Sequence, residues 1–314
     1  MSHVVLVADP GGHFALLHWL RPLLGTRRVT WVGLDSGDVR ARVGEDPVVF
    51  GAGPTARSAS ALWRNLRHAQ ATLPRLRPDL VLTSGAGLGV PWLWASRARG
   101  LPTAFVEVAD RKHRPSLSLR LVAPVADHVL VQHEAARSFR ADAVVLGRVR
   151  PQPGPAVPRT GPVFVALGTS PFPFERLVRA AESLAAAGHD VFVQHGASRA
   201  PVGCPSVAQL TPDAFQAALA SARVVVVHGG MASRAEAQAL GRVPLVVARR
   251  AQHGEHVDDH QVEALVGATD AVAVEPEALV GHVAGWSEPV AGPLSGDAAA
   301  TSFRAWLDQV CPEM

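Results

Sequence analysis

Short apolar runs, each closed by a polar or glycine-bearing turn and followed by a longer Ala-, Leu- and Arg-rich segment, limit this chain more than any other feature. "VVLVA" leads into "FALLHWLRPLL", and "VTWVGL" follows. After "SALWRNLRHAQATL" come "DLVLTS", "PWLWASRAR", "TAFVEV" and "HVLVQ". Runs apolar on both faces suit strands buried on both sides, and the intervening segments are long enough for crossover helices. The pattern therefore predicts an α/β fold with parallel, helix-covered sheets.

The rhythm breaks once, at "RVRPQPGPAVPRTGP" (148–162). Five prolines there exclude a helix or a central strand. It then restarts with "VFVALG", "ERLVRAAESLAAAG", "DVFVQHG", "DAFQAALASA", "VVVVHGG", "SRAEAQALG" and "PLVVARR". The expected organisation is two Rossmann-like domains, 1–150 and 162–296, joined by a rigid linker at 151–161. An amphipathic helix in 297–314 is expected to pack back on the first domain. A length of 314 residues suits two cores.

Composition narrows the function classes. Hydrophobic residues make up 48% of the chain and the net charge is only +3, so global disorder is excluded. Lys112 is the only lysine, and the arginines are interspersed with acids, so no nucleic-acid patch stands out. Cys204 and Cys311 have no metal spacing and suit a reducing compartment. "HVVLVA" directly after the start lacks the basic beginning of a signal peptide, and no apolar run approaches the ~20 residues that span a bilayer. A cytoplasmic protein is expected, with a peripheral contact on the inner face of the plasma membrane left open.

Open α/β sheets bind ligands at the carboxyl ends of their strands. Three glycine turns fall there: Gly11-Gly12-His13, Gly168-Thr169-Ser170 and His228-Gly229-Gly230. Each would present backbone N–H groups at a helix N-terminus, where the macrodipole favours an anion. Two other motifs compete. "TSGAGLGV" (83–90), with Glu107 twenty residues after Gly87, imitates a dinucleotide fingerprint. Its glycines are spaced G-x-G-x-G, however, and it lies in mid-domain. "HGEHVDDHQ" (253–261) places His256 and His260 on one helical face with Asp259 nearby. A metal is conceivable there, but a polar ligand-binding helix end fits better, and no metal is expected. The absence of G-x-x-x-x-G-K-[ST] excludes a P-loop.

The second half, from "VFVALGTSPFPFERLVRA" through "VVVVHGGMASRAEAQALGRVPLVVARRAQHGEHVDDHQ", resembles the donor-binding subunit of paired bacterial exopolysaccharide glycosyltransferases. The first half, with "GGHFALLHWL" and "PDLVLTSGAGLGVPWLWASRARGLPTAFVEVADRKHRP", resembles their partner subunit. The pair is similar to the two-subunit N-acetylglucosaminyltransferase of the dolichol pathway and, more distantly, to the bacterial lipid-II-forming enzyme. Here the halves are fused, the acceptor half first.

The resemblance implies a GT-B fold and an inverting transfer from a UDP-sugar without a metal or other cofactor. It assigns the pyrophosphate to Gly229, Gly230, Met231, Ala232 and Ser233, with His228 beside them, and the ribose to Glu236. Asp259, His260 and Gln261 fall to the sugar with His256 near them; Gly168, Thr169, Ser170 and His195 close the same site. Arg249 would balance leaving-group charge. On the acceptor side, Gly11, Gly12 and Arg111 surround His13, whose imidazole titrates near neutrality and suits a general base, with Glu107 as rival. The implied acceptor is a polyprenyl-linked sugar. "FALLHWLRPLL" and "PSLSLRLVAPV" are apolar stretches of the kind more often found as core helices; with a lipid-linked acceptor some of that surface would face anionic lipid, with Arg111, Arg114 and Arg120 to attract it. The segment "VEVADRKHRP" departs from the family's acceptor motif. Three readings remain beside this one: a glycosyltransferase of a soluble secondary metabolite, a non-catalytic nucleotide-sugar-binding module, and an NAD-dependent enzyme built on "SGAGLG".

Overall fold

A computed structural model describes residues 1–55, 58–154, 157–289 and 298–313. The chain divides into two compact units. One holds residues 1–149 with the C-terminal helix Ala298–Val310, and the other begins at Arg150. Within 148–162 the described residues carry no helix, and the next strand opens at Gly161; Pro155 and Ala156 of the expected linker lie outside the described residues, as does the expected domain boundary at 296.

The first unit is built on seven parallel strands: β1 (His3–Val7), β2 (Arg28–Leu34), β3 (Val48–Gly51), β4 (Leu80–Thr83), β5 (Thr103–Val106), β6 (His128–Val131) and β7 (Val144–Val145). Their spatial order is β3-β2-β1-β4-β5-β6-β7. The second unit has six: β8 (Gly161–Ala166), β9 (Val191–Gln194), β10 (Ser206–Val207), β11 (Ala222–His228), β12 (Leu245–Val247) and β13 (Val272–Ala273), in the order β10-β9-β8-β11-β12-β13. Every pairing is parallel.

Both sheets thus have the doubly wound order. It reverses direction between β1 and β4 in the first unit and between β8 and β11 in the second. At such a switch point two neighbouring strands send their following helices to opposite faces, which opens a crevice at the strand ends. Val7 pairs with Thr83 and Ala166 with Val227, so the turns after these strands emerge side by side.

Burial accounts for the apolar runs. Val4, Val5, Leu6 and Val7 are inaccessible to solvent, as strands covered on both faces must be. The helix Gly12–Leu20 buries Phe14, Leu16, Leu17, Trp19 and Leu20, and Phe14 stacks on Trp31 with ring centroids 4.5 Å apart. "FALLHWLRPLL" is therefore a core segment. This is the more usual place for such a stretch: the face that a lipid contact would need is the one holding the helix to the sheet. The C-terminal helix buries Phe303 and Leu307, and Arg27 fixes it through the Cys311 carbonyl and Asp308, each at 2.6 Å.

Candidate functional site

The acceptor-side turn lies at the first switch point. Gly11 has φ +88°, a conformation that excludes most side chains, and its N–H donates to Asp38 Oδ2 at 3.1 Å. His13 opens the helix after it, and its Nδ1 lies 2.9 Å from the Ser84 carbonyl beyond β4. Ser84 Oγ in turn donates to the His13 carbonyl at 2.9 Å. Asp9 ties a third loop in. Its carboxylate accepts from Thr55 Oγ1 at 2.6 Å and from the N–H groups of Gly87 and Leu88 at 3.2 and 3.1 Å. Burial raises the Asp9 pKa, and these three donors oppose the rise.

That carboxylate settles the "SGAGLG" stretch. In a dinucleotide site the first N–H groups of the helix would face a pyrophosphate. Here the helix Ala86–Arg97 gives two of them to Asp9. The anion position is filled by the protein's own side chain, so the stretch is an architectural turn.

Glu107, the rival base, is buried beside its own loop. It is 1% exposed, Oε1 accepts from the Val108 N–H at 3.1 Å, and Oε2 accepts from the Ser116 N–H at 2.9 Å. Burial raises its pKa and these bonds lower it. These two bonds make it an organiser of the 108–116 loop. Arg111 is half-buried in that loop, and its charge helps hold Glu107 down.

The donor-side turn lies at the second switch point. His228 ends β11, Gly229 and Gly230 follow, and the helix Met231–Ala239 begins with no side chain capping it. The first-turn N–H groups of Met231, Ala232 and Ser233 have no partner within the helix by its geometry. Gly168, at φ +80° after β8, and Gly230 close on the His228 ring, and a Cβ on either glycine would overlap it. His228 therefore points inward. Part of the residue meets solvent, but the ring itself is deep. Desolvation, then the Arg249 charge, bring its pKa down to about 3, with the Ala166 backbone pulling weakly the other way. It is neutral at pH 7 and fills space between two glycines. A Cβ on Gly229 would in turn meet Gln261 Cβ at 2.9 Å. Thr169 is exposed and Ser170 half-buried beside this turn, while Glu236 is buried in the helix's second turn at 4% exposure.

Arg249 is 1% exposed and is a brace rather than an open fork. Its guanidinium donates to the carbonyls of Phe172 (2.7 Å), Glu255 (3.0 Å) and Leu167 (2.7 Å), and it stacks 4.7 Å over the Phe174 ring. Its own N–H donates to Gln261 Oε1 at 3.1 Å. The nearest acid, Glu255, is taken by Arg176 through two 2.8 Å bonds. Desolvation lowers the Arg249 pKa to about 10 while the Glu255 charge opposes the fall, so it stays charged at pH 7, and among the described residues no carboxylate oxygen hydrogen-bonds to it. The outcome is a buried positive charge, hydrogen-bonded only to carbonyls, behind an uncapped helix N-terminus. His195 belongs to the same scaffold: its Nδ1 meets the Ser198 carbonyl at 2.9 Å, and Ser198 Oγ accepts the Phe174 N–H at 2.8 Å.

In "HGEHVDDHQ" the acid that meets the histidines is Asp258. Asp259 Oδ1 instead accepts the Ala251 N–H at 2.8 Å. Asp258 Oδ1 hydrogen-bonds His260 Nδ1 and lies 3.6 Å from His256 Nδ1. His256 and His260 stand edge to face at 4.6 Å. Among the described residues this trio is the one group with metal-ligand spacing. Burial lowers the pKa of His256, the Asp258 hydrogen bond opposes the fall, and the Arg249 charge adds to it, which works against a second cation there.

No protein-family profile matches the chain, and no curated protein matches it. Solved structures do. MurG of Acinetobacter baumannii is 18% identical over 90% of each chain, with a TM-score of 0.56. CalG4, the calicheamicin glycosyltransferase, is 16% identical over 99% of this chain and 94% of its own, with a TM-score of 0.57. The UDP-GlcNAc 2-epimerase of Neisseria meningitidis bound to UDP-GlcNAc is 10% identical over 98% of this chain and all of its own, with a TM-score of 0.68. The fold is thus the α/β, two-Rossmann fold of GT-B glycosyltransferases, which UDP-GlcNAc 2-epimerases share.

Proposed function

We propose that this chain is an inverting glycosyltransferase that takes a hexose or hexose derivative from a UDP-sugar and passes it to the hydroxyl of a lipid-linked sugar. One observation carries the reading. The second switch point joins an uncapped glycine-helix N-terminus to a buried arginine hydrogen-bonded to carbonyls and to no carboxylate, which is the electrostatics of a diphosphate site. The N–H groups of Met231, Ala232 and Ser233 take the pyrophosphate, Glu236 takes the ribose hydroxyls, and His260, Asp259 and Gln261 meet the sugar. As the bond from the anomeric carbon to the phosphate oxygen breaks, these dipoles and the Arg249 field stabilise UDP, so no metal is required. His13 takes the acceptor proton as that oxygen attacks from the opposite face.

The lipid-linked acceptor is supported by a surface of the first unit. Leu62, Trp63, Trp94, Leu117 and Leu121 are exposed, on three helices packed in a row (59–76, 86–97 and 117–122). Trp94 Nε1 donates to the Leu121 carbonyl at 3.1 Å, which joins two of these helices. Exposed arginines, Arg67, Arg97 and Arg120, stand among them. Aromatic and apolar side chains ringed by cations suit an anionic bilayer interface. The helix 117–122 also packs on the turn after β4, since a Cβ on Gly85 would meet Ser118 Cβ at 3.0 Å. No helix among the described residues is long and apolar enough to cross a membrane.

The higher TM-score of the epimerase favours a second reading, an epimerase acting on a UDP-sugar without an acceptor. One assay separates the two. A panel of UDP-sugars is incubated with and without polyprenyl-linked and soluble sugar acceptors, and both UDP and epimerised donor are measured. Acceptor-dependent UDP release supports transfer. Epimerised UDP-sugar formed without any acceptor sinks it, and turnover confined to soluble acceptors moves the reading to the secondary-metabolite class.

A further inference from the structure

The turn after β4 has no role in the reading above, yet it is bonded to His13 twice. Two bonds cross in opposite senses: His13 Nδ1 to the Ser84 carbonyl, and Ser84 Oγ to the His13 carbonyl, both at 2.9 Å. A carbonyl oxygen only accepts, so Nδ1 must carry the proton. In neutral imidazole the lone pair then resides on Nε2. Solvent cannot replace the Ser84 carbonyl, because Ser84 is fully buried.

The segment that aims this carbonyl is fixed on both sides. Before it, Thr83 Oγ1 donates to the Val7 carbonyl at 2.7 Å and accepts the Gly85 N–H at 3.0 Å. After it, Gly85 has φ +102° and Ala86 has φ +60°, which a residue with a Cβ rarely adopts. Asp9 then takes the N–H groups of Gly87 and Leu88. Asp9 belongs to the same loop as His13, so the loops after β1 and β4 hold each other at both ends. Backbone held off its preferred conformation by several bonds is strain kept in place by the surroundings.

We infer that Ser84 is the positioning residue of the acceptor-side base, locking His13 as the Nδ1–H tautomer so that Nε2 receives the acceptor proton. In the transfer step the acceptor O–H bond breaks, its proton passes to His13 Nε2, the oxygen bonds to the anomeric carbon, and UDP leaves with the bonding pair. The resulting imidazolium keeps its Nδ1–H on the Ser84 carbonyl. This inference rests on His13 as the base, and its test includes a readout that needs no transfer activity.

That readout is the ring-nitrogen NMR spectrum of the full-length protein with labelled histidine, the His13 signals being identified by their loss in His13→Gln. The neutral His13 ring is expected to carry its proton on Nδ1. A proton on Nε2 overturns the inference, whatever reaction the protein catalyses. Ser84→Ala removes the hydroxyl arm alone and keeps the carbonyl. It is expected to leave the Nδ1–H tautomer in place, to loosen the hold on the His13 main chain and to lower kcat on the order of 10- to 100-fold, with the KM for the UDP-sugar unchanged. An unchanged kcat contradicts the positioning role. If no UDP-sugar is turned over while the wild-type ring is Nδ1–H, the function assigned to His13 fails and the tautomer lock stands.

Discussion

Gly230 and Glu236 lie six residues apart and test different parts of the donor site. Gly230→Val drives side-chain atoms into the His228 ring and tilts the first turn of the helix away from its anion. Glu236→Ala removes a charge-assisted acceptor, and its loss should weaken UDP binding by about 1.5–3 kcal/mol. Isothermal titration of the folded variants checks both. His13→Ala should leave UDP affinity alone and lower turnover about 10²–10⁴-fold; stopped-assay kinetics alongside titration separate the two effects. Residue identities at these turns were legible because glycine and histidine at strand ends are conspicuous. Side-chain direction was not. His228 is the last residue of its strand, and whether such a side chain faces ligand or core depends on a one-residue register that periodicity does not resolve. Arg249 reads from sequence as a phosphate ligand, yet its guanidinium holds three loop carbonyls. Those acceptors, Leu167, Phe172 and Glu255, are main-chain groups from separate segments and leave no trace in side-chain identity. Asp9, Ser84 and Asp38 went unmarked for a related reason: each bonds backbone atoms of a segment far away in sequence.

Elements show a sharper division. The runs that read as strands in the sequence are the central ones, buried on both faces. The strands that did not stand out are β3, β7, β10 and β13, which are the edges of the two sheets. Three of these have only two residues, and β3 is half-buried throughout. An edge strand needs no apolar run, because one side has no neighbour and part of its surface meets water. The doubly wound order follows from these edges, so the switch points became visible only with the sheets assembled. Helix faces were legible in part. "PSLSLRLVAPV" does expose Leu117 and Leu121, but "FALLHWLRPLL" is core, since an apolar helix looks alike whether it faces a sheet or a lipid. Leu117→Ser with Leu121→Ser should therefore reduce cosedimentation with anionic vesicles. Substitution at such exposed positions should change stability by no more than about 0.5 kcal/mol each. Vesicle binding that survives the double change, or that ignores added salt, would remove this face as the membrane contact.

Across the whole molecule, titration sets a stability profile. Burial lowers the pKa of His3, His18, His133, His228 and His256 in the folded state. The unfolded chain then binds more protons than the folded one from about pH 6.5 downward, so stability is present above that value and is lost as pH falls toward the folded pKa values. Asp9 and Glu107, raised by burial, act in the opposite sense, since their neutral forms fit the folded state and their contribution falls as pH rises above the ordinary carboxylate range. Five histidines against two carboxylates predict a melting temperature that falls between pH 7 and pH 5. A flat or rising profile over that interval in thermal unfolding would mean that the histidines are not held neutral.

The central claim is that the glycine turn after β11 binds the diphosphate of a UDP-sugar without a metal. Calorimetric titration of the full-length protein with UDP in the presence of EDTA tests it most directly. The account predicts one UDP per chain, with binding weakened by Glu236→Ala and by Gly230→Val and unaltered by the chelator. Folded wild-type protein that binds no UDP under these conditions, or variants that bind it as tightly as wild type, would contradict it.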